Sequence, residues 1–491
     1  MIQSPAIIPV HLLSGGRLLV KRFIIQFLSG FLLLFFVSGC VQQGHKPFAA
    51  PTLLPGTDRS MLTAGYWISR HPSPDALVLT AEQIAGLNRH IEKGLELAAA
   101  KISLGADQNI SWPASCSGSD LAIALQKDMD RLRARPRYFS SGRQVPGAFY
   151  ERMTEDMDLA AINPIMDSAI DPVIDTAQIS LGGVVVRFSD QRILPTLEPL
   201  YGDPSEVDFD DLQNNALEMG TPLLLLHQTR DMKWTYVCSP SSSGWVESRH
   251  IARCSLEALE DFIHPDRFVV VLRPKVDIYR NPTLTYSEEY VQMGVRLPLI
   301  EVVENAYQVM IPISDSQGYL IKQQGYIQKN QVSEGYLPYT ARNILQQAFE
   351  MLNAPYGWGG MYGEQDCSRY IQQIFATVGV NFPRNSADQA MVGKRVAEFD
   401  PDTPEIFKIR SLDQASGGIT VLYLKGHIML YLGKTGFLPY TIHATWAYRV
   451  PDGNQDLTYK INRVAVTDLN LGKGSSNGSL LERLKSVRMV Q

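Results

Sequence analysis

Cys367, His427 and His443 are the side chains of this 491-residue chain whose types and spacing could do covalent chemistry. Cys367 stands in Asp366-Cys367-Ser368-Arg369-Tyr370, a little after the glycine-rich stretch Tyr356-Gly357-Trp358-Gly359-Gly360. Behind it Ile371, Ile374, Phe375 and Val378 recur at helical period and stop at Gly379, a C-terminal signal. The cysteine therefore falls in the first turn of a predicted helix, with Asp366 as its N-cap. Free amides and the positive dipole end there favour a thiolate over a thiol.

A base must come from elsewhere in the fold. Residues 420–424 and 427–432 read as strands joined by Lys425-Gly426, and a further strand covers 440–446 after Gly433-Lys434-Thr435-Gly436. A hairpin symmetric about Thr435 puts His427 directly opposite His443, with Cβ atoms roughly 5 Å apart. Alternation assigns His427, Met429 and Tyr431 to a face for chemistry and Ile428, Leu430 and Leu432 to a face for core. His427 would take the thiol proton and return it to a leaving amine, while His443 fixes its tautomer and orientation. Such groups meet in space rather than in sequence. Taken singly, Cys367 reads equally as a buried structural cysteine, and His443 as a core histidine. The two histidines also read as zinc ligands, but no further ligands lie at short spacing. Taken together, with the glycine-rich approach, they point to thiol catalysis.

These motifs, with Gly426-His427-Ile428-Met429-Leu430-Tyr431-Leu432-Gly433, resemble the NlpC-type cell-wall cysteine peptidases over about residues 338–491. The resemblance implies a papain-like α+β catalytic domain with Cys367 as nucleophile, His427 as base and His443 as the orienting residue, and it calls for no cofactor or metal. It implies cleavage within peptidoglycan stem peptides, most often between D-glutamate and a diamino acid such as meso-diaminopimelate. In relatives of this layout a small barrel helps close the pocket and reads the free amino terminus of the stem's L-alanine. The binding positions of the family map to Asp366, Ser368 and Ser386, and its pocket tyrosine to Tyr356. Asp366 keeps its capping role as well. Two departures stand out: Arg369 replaces a small residue, and Gly418-Ile419-Thr420 lacks the usual Gly-Asp. The family's barrel tyrosine has no assigned counterpart; its place falls within Ser241-Ser242-Ser243.

The N-terminus bears on location. Lys21-Arg22 precedes an apolar run from Phe23 to Val37, closing at Val37-Ser38-Gly39-Cys40. That is the pattern of an export signal, and its core is short for a membrane span. The ending resembles a bacterial lipoprotein box, which implies removal of residues 1–39 and acylation of Cys40. Valine after Cys40 fits the outer membrane better than the inner, and the protein would face the periplasm. With Cys40 and Cys367 assigned, Cys116, Cys238 and Cys254 remain, too few for a disulfide framework. Cys238 and Cys254 share one predicted barrel and are the pair that could bond.

A net charge of −5 gives no basic field for nucleic acid, and 45% hydrophobic residues suffice for several cores. Residues 40–58 read as a tether. Residues 59–165 read as a helical N-terminal clip, where Thr80 and Gln83 form a capping box ahead of the stripe Ile84, Leu87, Ile91 and Leu95. Short, turn-bounded strands then fill 166–258 and 262–336, and Gly244-Trp245-Val246 and Gly325-Tyr326-Ile327 close two sets that resemble tandem bacterial SH3-like barrels. The expectation is a monomeric, lipid-anchored, multidomain α+β protein with a peptidase domain over 338–491. Two other readings stay open: an amidase acting between muramic acid and L-alanine, and an inactive peptidase domain that its barrels hold on the wall.

Overall fold

The computed structural model describes residues 47–94, 101–102, 110–111, 118–135, 137–159 and 182–491. The expected signal segment, Cys40 and Cys116 lie outside the described residues. Three seven-stranded sheets form the framework.

The first sheet runs, in spatial order, Ile251–Cys254, Gly182–Val185, Pro222–Gln228, Trp234–Cys238, Ser243–Glu247, Ser189–Arg192 and Gln213–Leu217. The last two have no apolar alternation. They carry Gln191, Arg192, Gln213 and Asn215 buried, which hides them from a reading based on period two. The second sheet orders Ser287–Gln292, Lys275–Tyr279, Leu320–Gln328, Ala306–Ser314, Arg296–Val302, Phe268–Val271 and Val332–Glu334 around Val276, Ile278, Val309, Ile311 and Ile327. Cys238 is disulfide-bonded and Cys254 is a free thiol, so these two do not pair with each other.

The third sheet carries the histidines. Its order is Phe48–Ala49, Gln455–Asp468, Leu438–Asp452, His427–Thr435, Thr420–Leu424, Ser486–Met489 and Lys394–Glu398, antiparallel apart from the first pair. Two cores cover it. Ile428, Leu430 and Leu432 pack with Ile371, Ile374 and Phe375 of the helix Cys367–Ala376. Met429 and Tyr431 pack into a second core with Leu469, Leu480, Leu481 and Leu484. The face expected for chemistry alone is therefore apolar beyond His427, because the C-terminal segment folds over it.

The hairpin also differs from the symmetric one. A two-residue turn, Gly436-Phe437, and a bulge between Tyr431 and Gly433 pair Leu430 with Ile442 and Tyr431 with Thr441. Continued in register, His427 faces Thr445, and His443 becomes its diagonal neighbour.

Residues 59–165 do not form one unit. The helices Ala64–Ile68 and Ala81–Gly94 contribute Trp67, Ile68 and Ile91 to the core between the third sheet and the helix Cys367–Ala376. The helices Gly118–Ala134 and Gly147–Met157 contribute Leu121, Leu125, Met129, Phe149 and Met153 to the core of the first sheet, against Trp234, Tyr236 and Trp245. The capping box is present: Gln83 N donates to Thr80 Oγ1 at 3.3 Å and Thr80 N to Gln83 Oε1 at 2.8 Å.

Candidate active site

Asp366 caps the helix Cys367–Ala376, its Oδ1 accepting from Arg369 N at 2.8 Å and from Ser368 Oγ at 3.0 Å. This sets Cys367 at the first helical position, 7% exposed. The helix packs on the His427 strand through the residues named above. The backbone N–H groups of Ile428 and Ser368 favour a charged sulfur, as does Arg384. Burial works the other way and is larger; with the charge of Asp366 it pushes the Cys367 thiol up to about 12. The helix terminus alone therefore does not hold a resting thiolate.

His427 Nε2 and His443 Nδ1 lie 2.6 Å apart, with ring planes at 65°. His443 Nε2 lies 3.0 Å from Thr467 Oγ1, and His443 is fully buried. The two contacts admit two consistent tautomer assignments, and one of them leaves a basic nitrogen free to act on the thiol. If His443 Nε2–H donates to Thr467, then His443 Nδ1 accepts from His427 Nε2–H, leaving a lone pair on His427 Nδ1 for a thiol proton. Thr467 is thus a fourth member of the array, with no sequence signal beyond lying on a predicted strand.

Burial and the charge of Arg483 push His427 down to about 4, against the pull of Asp366. Burial, His427 and Arg483 hold His443 well below its ordinary value. The resting array is a neutral thiol beside neutral imidazoles. A stability consequence follows, since both groups have folded values depressed below 6.5. The unfolded chain binds more protons in this window, so stability falls as pH drops from about 6.5 towards 4, by on the order of 1 kcal/mol per unit per imidazole. Thermal melts between pH 7 and 4.5 should show this decline, and His443→Asn should flatten it.

Tyr356 lies close enough to Cys367 and Asp366 to feel their charges. Burial, then the charges of Cys367 and Asp366, push its phenol far above the ordinary range. Its ring packs on Phe209 of the first domain, the part of the chain built on the first sheet (residues 182–254), and Phe209 also meets Trp358 and Trp446. Ser368 is buried beside Asp366. Ser386 opens the short helix Ser386–Gln389, half-buried, on an element packed against both the helix Cys367–Ala376 and the His427 strand. Asp366 is already engaged. Arg384 Nη2 and Nη1 donate to its two oxygens at 2.6 and 3.2 Å, and Gly359 N donates at 3.1 Å. Burial would raise this carboxyl, yet Arg384 and the donated hydrogen bonds outweigh it and hold it below its ordinary value. Arg384 also donates to Ser368 Oγ at 2.7 Å and, through Nε, to Asn215 Oδ1 at 2.6 Å. Sequence reasoning passed over Arg384, which ties the Asp-Cys-Ser turn to the first domain.

The glycine-rich stretch has a packing reason. Gly359 and Gly360 adopt φ of +62° and +86°, and a Cβ on either would come within 2.6 Å of Gln213 Cγ or Ala216 Cβ. Only glycine lets this loop lie against the strand Gln213–Leu217. A cavity of about 780 Å³ lies where the first domain and the second, built on the second sheet (residues 268–334), meet the helix Cys367–Ala376; Glu218, Arg369, Gln373 and Arg384 line it, and Cys367, His427 and His443 do not. Among the described residues no cluster of three His, Cys, Asp or Glu could hold a metal, and no helix is long and apolar enough to cross a membrane.

Comparison with known proteins agrees with this geometry. The pattern of the NlpC/P60 family matches residues 353–454, and that of the SH3 domain of SH3b1 type matches 199–247. The chain is 30% identical over 213 residues to a gamma-D-glutamyl-L-lysine dipeptidyl-peptidase of Bacillus subtilis (strain 168), covering 42% of this chain and 67% of that protein. The chain belongs to the NlpC/P60 family. A protein of the same name from Bacillus cereus (strain ATCC 10987 / NRS 248) is 27% identical over 168 residues, 34% of this NlpC/P60 chain and about half, 47%, of that one. An NlpC/P60 endopeptidase from Photobacterium damselae subsp. piscicida shares the fold, with a TM-score of 0.71 and 21% identity over 91% of this chain and 99% of that one.

Proposed function

We propose that this protein is a thiol endopeptidase of the cell envelope that hydrolyses the γ-D-glutamyl–diamino-acid bond of peptidoglycan stem peptides. The observation that carries the reading is the imidazole relay Thr467–His443–His427, which crosses three neighbouring strands and ends on the His427 strand that packs against the Cys367 helix, in an NlpC/P60 chain. The names of the two Bacillus relatives support the choice of bond.

The chemistry balances with the chain's own groups. His427 Nδ1 takes the proton of Cys367 as the sulfur attacks the γ-carbonyl carbon of D-glutamate. The carbon–nitrogen bond then breaks, and the imidazolium gives its proton to the leaving amine. Water, with His427 again as base, hydrolyses the thioester and restores the thiol.

The preference for stems with a free N-terminal L-alanine rests on the resemblance that maps substrate binding to Asp366 and Ser368, which flank Cys367. Because Arg384 already shares that carboxylate, an ammonium would arrive as a second cation. The second seven-stranded sheet is read as a further SH3-like barrel, which makes the pair tandem. Cys40 is read as the lipidated residue that anchors the protein at the periplasmic face of the outer membrane, and the protein as a monomer.

Mass spectrometry on a defined stem tripeptide, with its amino terminus free and acetylated, tests the assignment. The expected products are L-alanyl-D-glutamate and the free diamino acid, formed faster from the free amine. The same measurement on a muropeptide, in which the stem is still joined to muramic acid, tests the alternative: products cut between muramic acid and L-alanine would assign an amidase instead. Incorporation of labelled fatty acid, lost in Cys40→Ala, checks the anchor.

A further inference from the structure

Arg369 is one of the two places at which this chain departs from the pattern it resembles, and the structure gives it an occupation. It lies two positions after Cys367, in the first turn of the nucleophile helix, and is 5% exposed. A cation at the amino end of a helix opposes the dipole, so the local helix does not select arginine. Its contacts lie elsewhere. Nη1 donates to Ala216 O of the first domain at 2.8 Å. Nη2 donates to Glu218 of that domain and to Gln292 Oε1 of the second at 3.0 Å.

Gln292 is fully buried and joins three pieces of structure. Its Oε1 also accepts from Gln373 Nε2, one helical turn beyond Arg369, at 2.8 Å. Its Nε2 donates to Gly363 O, at the end of the glycine-rich loop, at 2.5 Å. That loop is pressed onto Ala216 at Gly360, where Arg369 Cδ lies 3.5 Å from a built Cβ. One guanidinium thus meets both smaller domains, while its own backbone N–H serves the Asp366 cap.

We propose that Arg369 is a positioning residue: it bolts the first turn of the nucleophile helix to both smaller domains, so that those domains set the place of Cys367 relative to His427. Arg369 does not touch the reacting atoms and acts through the backbone of the turn. The planar fork suits three acceptors in different directions, which an ammonium on a flexible stem does not match. The inference rests on Cys367 being the nucleophile.

The test is steady-state kinetics on the stem tripeptide, well below the melting temperature, for Arg369→Met, Gln292→Leu and the double variant Arg369→Met/Glu218→Met. Displacing a catalytic group by about 1 Å costs on the order of 100-fold in rate. Arg369→Met should therefore lose about that factor in kcat with KM changed far less, and Gln292→Leu should move the same way by a smaller factor. Arg369→Met also leaves Glu218 buried without its partner, so its melting temperature should fall. The double variant removes that charge and should regain the melting temperature without regaining kcat. Recovery of kcat in the double variant would show that Arg369 only neutralises Glu218, and would overturn the proposal. Should Arg369→Met not fold, the double variant and Gln292→Leu decide, and wild-type kcat in either overturns it. Activity surviving in Cys367→Ala would instead strike the underlying catalytic reading, whatever the Arg369 variants do.

Discussion

Cys367→Ala is expected to reduce hydrolysis of the stem tripeptide by about 10⁵-fold or more, to the level that substrate binding alone sustains. In the proposed mechanism the thiol is the group that forms the bond to the γ-carbonyl carbon, and alanine offers no nucleophile in its place. His427→Ala should lose about 10²–10⁴-fold as the general base disappears. The two act as one unit, so the double variant should be no worse than Cys367→Ala alone. The pH profile carries more detail. His427 must be neutral to accept the thiol proton, and burial with Arg483 holds it near 4. The acid limb of kcat/KM should therefore fall near pH 4 rather than near 6.5, the ordinary imidazole value. A limb near 6.5 would mean that the imidazole is solvated in the working enzyme.

Why that array could be read from sequence, and its surroundings could not, has a physical answer. The Asp-Cys-Ser turn announces itself because capping, helical period and a glycine stop are all local signals. The histidines announce themselves because polar residues at strand spacing break an apolar pattern. Their precise pairing was not local: the bulge at Leu432 and the turn at Gly436-Phe437 shift the register, and the diagonal contact at 2.6 Å replaces the direct one. Thr467 was hidden because a threonine inside a strand is ordinary until its partner is known. The first domain shows the same limit. Its strand Gln213–Leu217 is polar, and Gln213 explains itself only when Arg192, Asp190 and the carbonyl of Gly359 are seen around it, at 2.9, 2.8 and 3.2 Å. Buried polar strands at domain junctions carry partners rather than patterns, and partners are long-range information. The helical segment 59–165 failed as a unit for a related reason. Amphipathic period says that a helix has an apolar face, but not which core receives it.

The junction also supplies the largest stability effect expected. Arg384 is 7% exposed and donates to Asp366, Ser368 and Asn215 at once. Arg384→Met leaves the Asp366 carboxylate buried with only neutral donors, and breaking one side of a buried pair costs about 3–5 kcal/mol. The sign of the pH dependence separates this from a simple packing loss. In the parent protein Asp366 lies below its ordinary 3.8, so it contributes stability above that value and loses it as pH falls through the lower folded value. Without Arg384, burial is no longer outweighed and the folded value rises above the ordinary one. The variant's deficit is then greatest at neutral pH and shrinks on acidification, as the carboxyl takes up a proton in the folded state. Denaturant melts of parent and variant at pH 7 and pH 5 read this difference directly, with the histidine contribution common to both. Adding Asp366→Asn should recover part of the loss at pH 7 and remove its pH dependence. A deficit equal at both values would show that Arg384 serves the junction by packing alone, and that the charge beside Cys367 is not what the first domain holds in place.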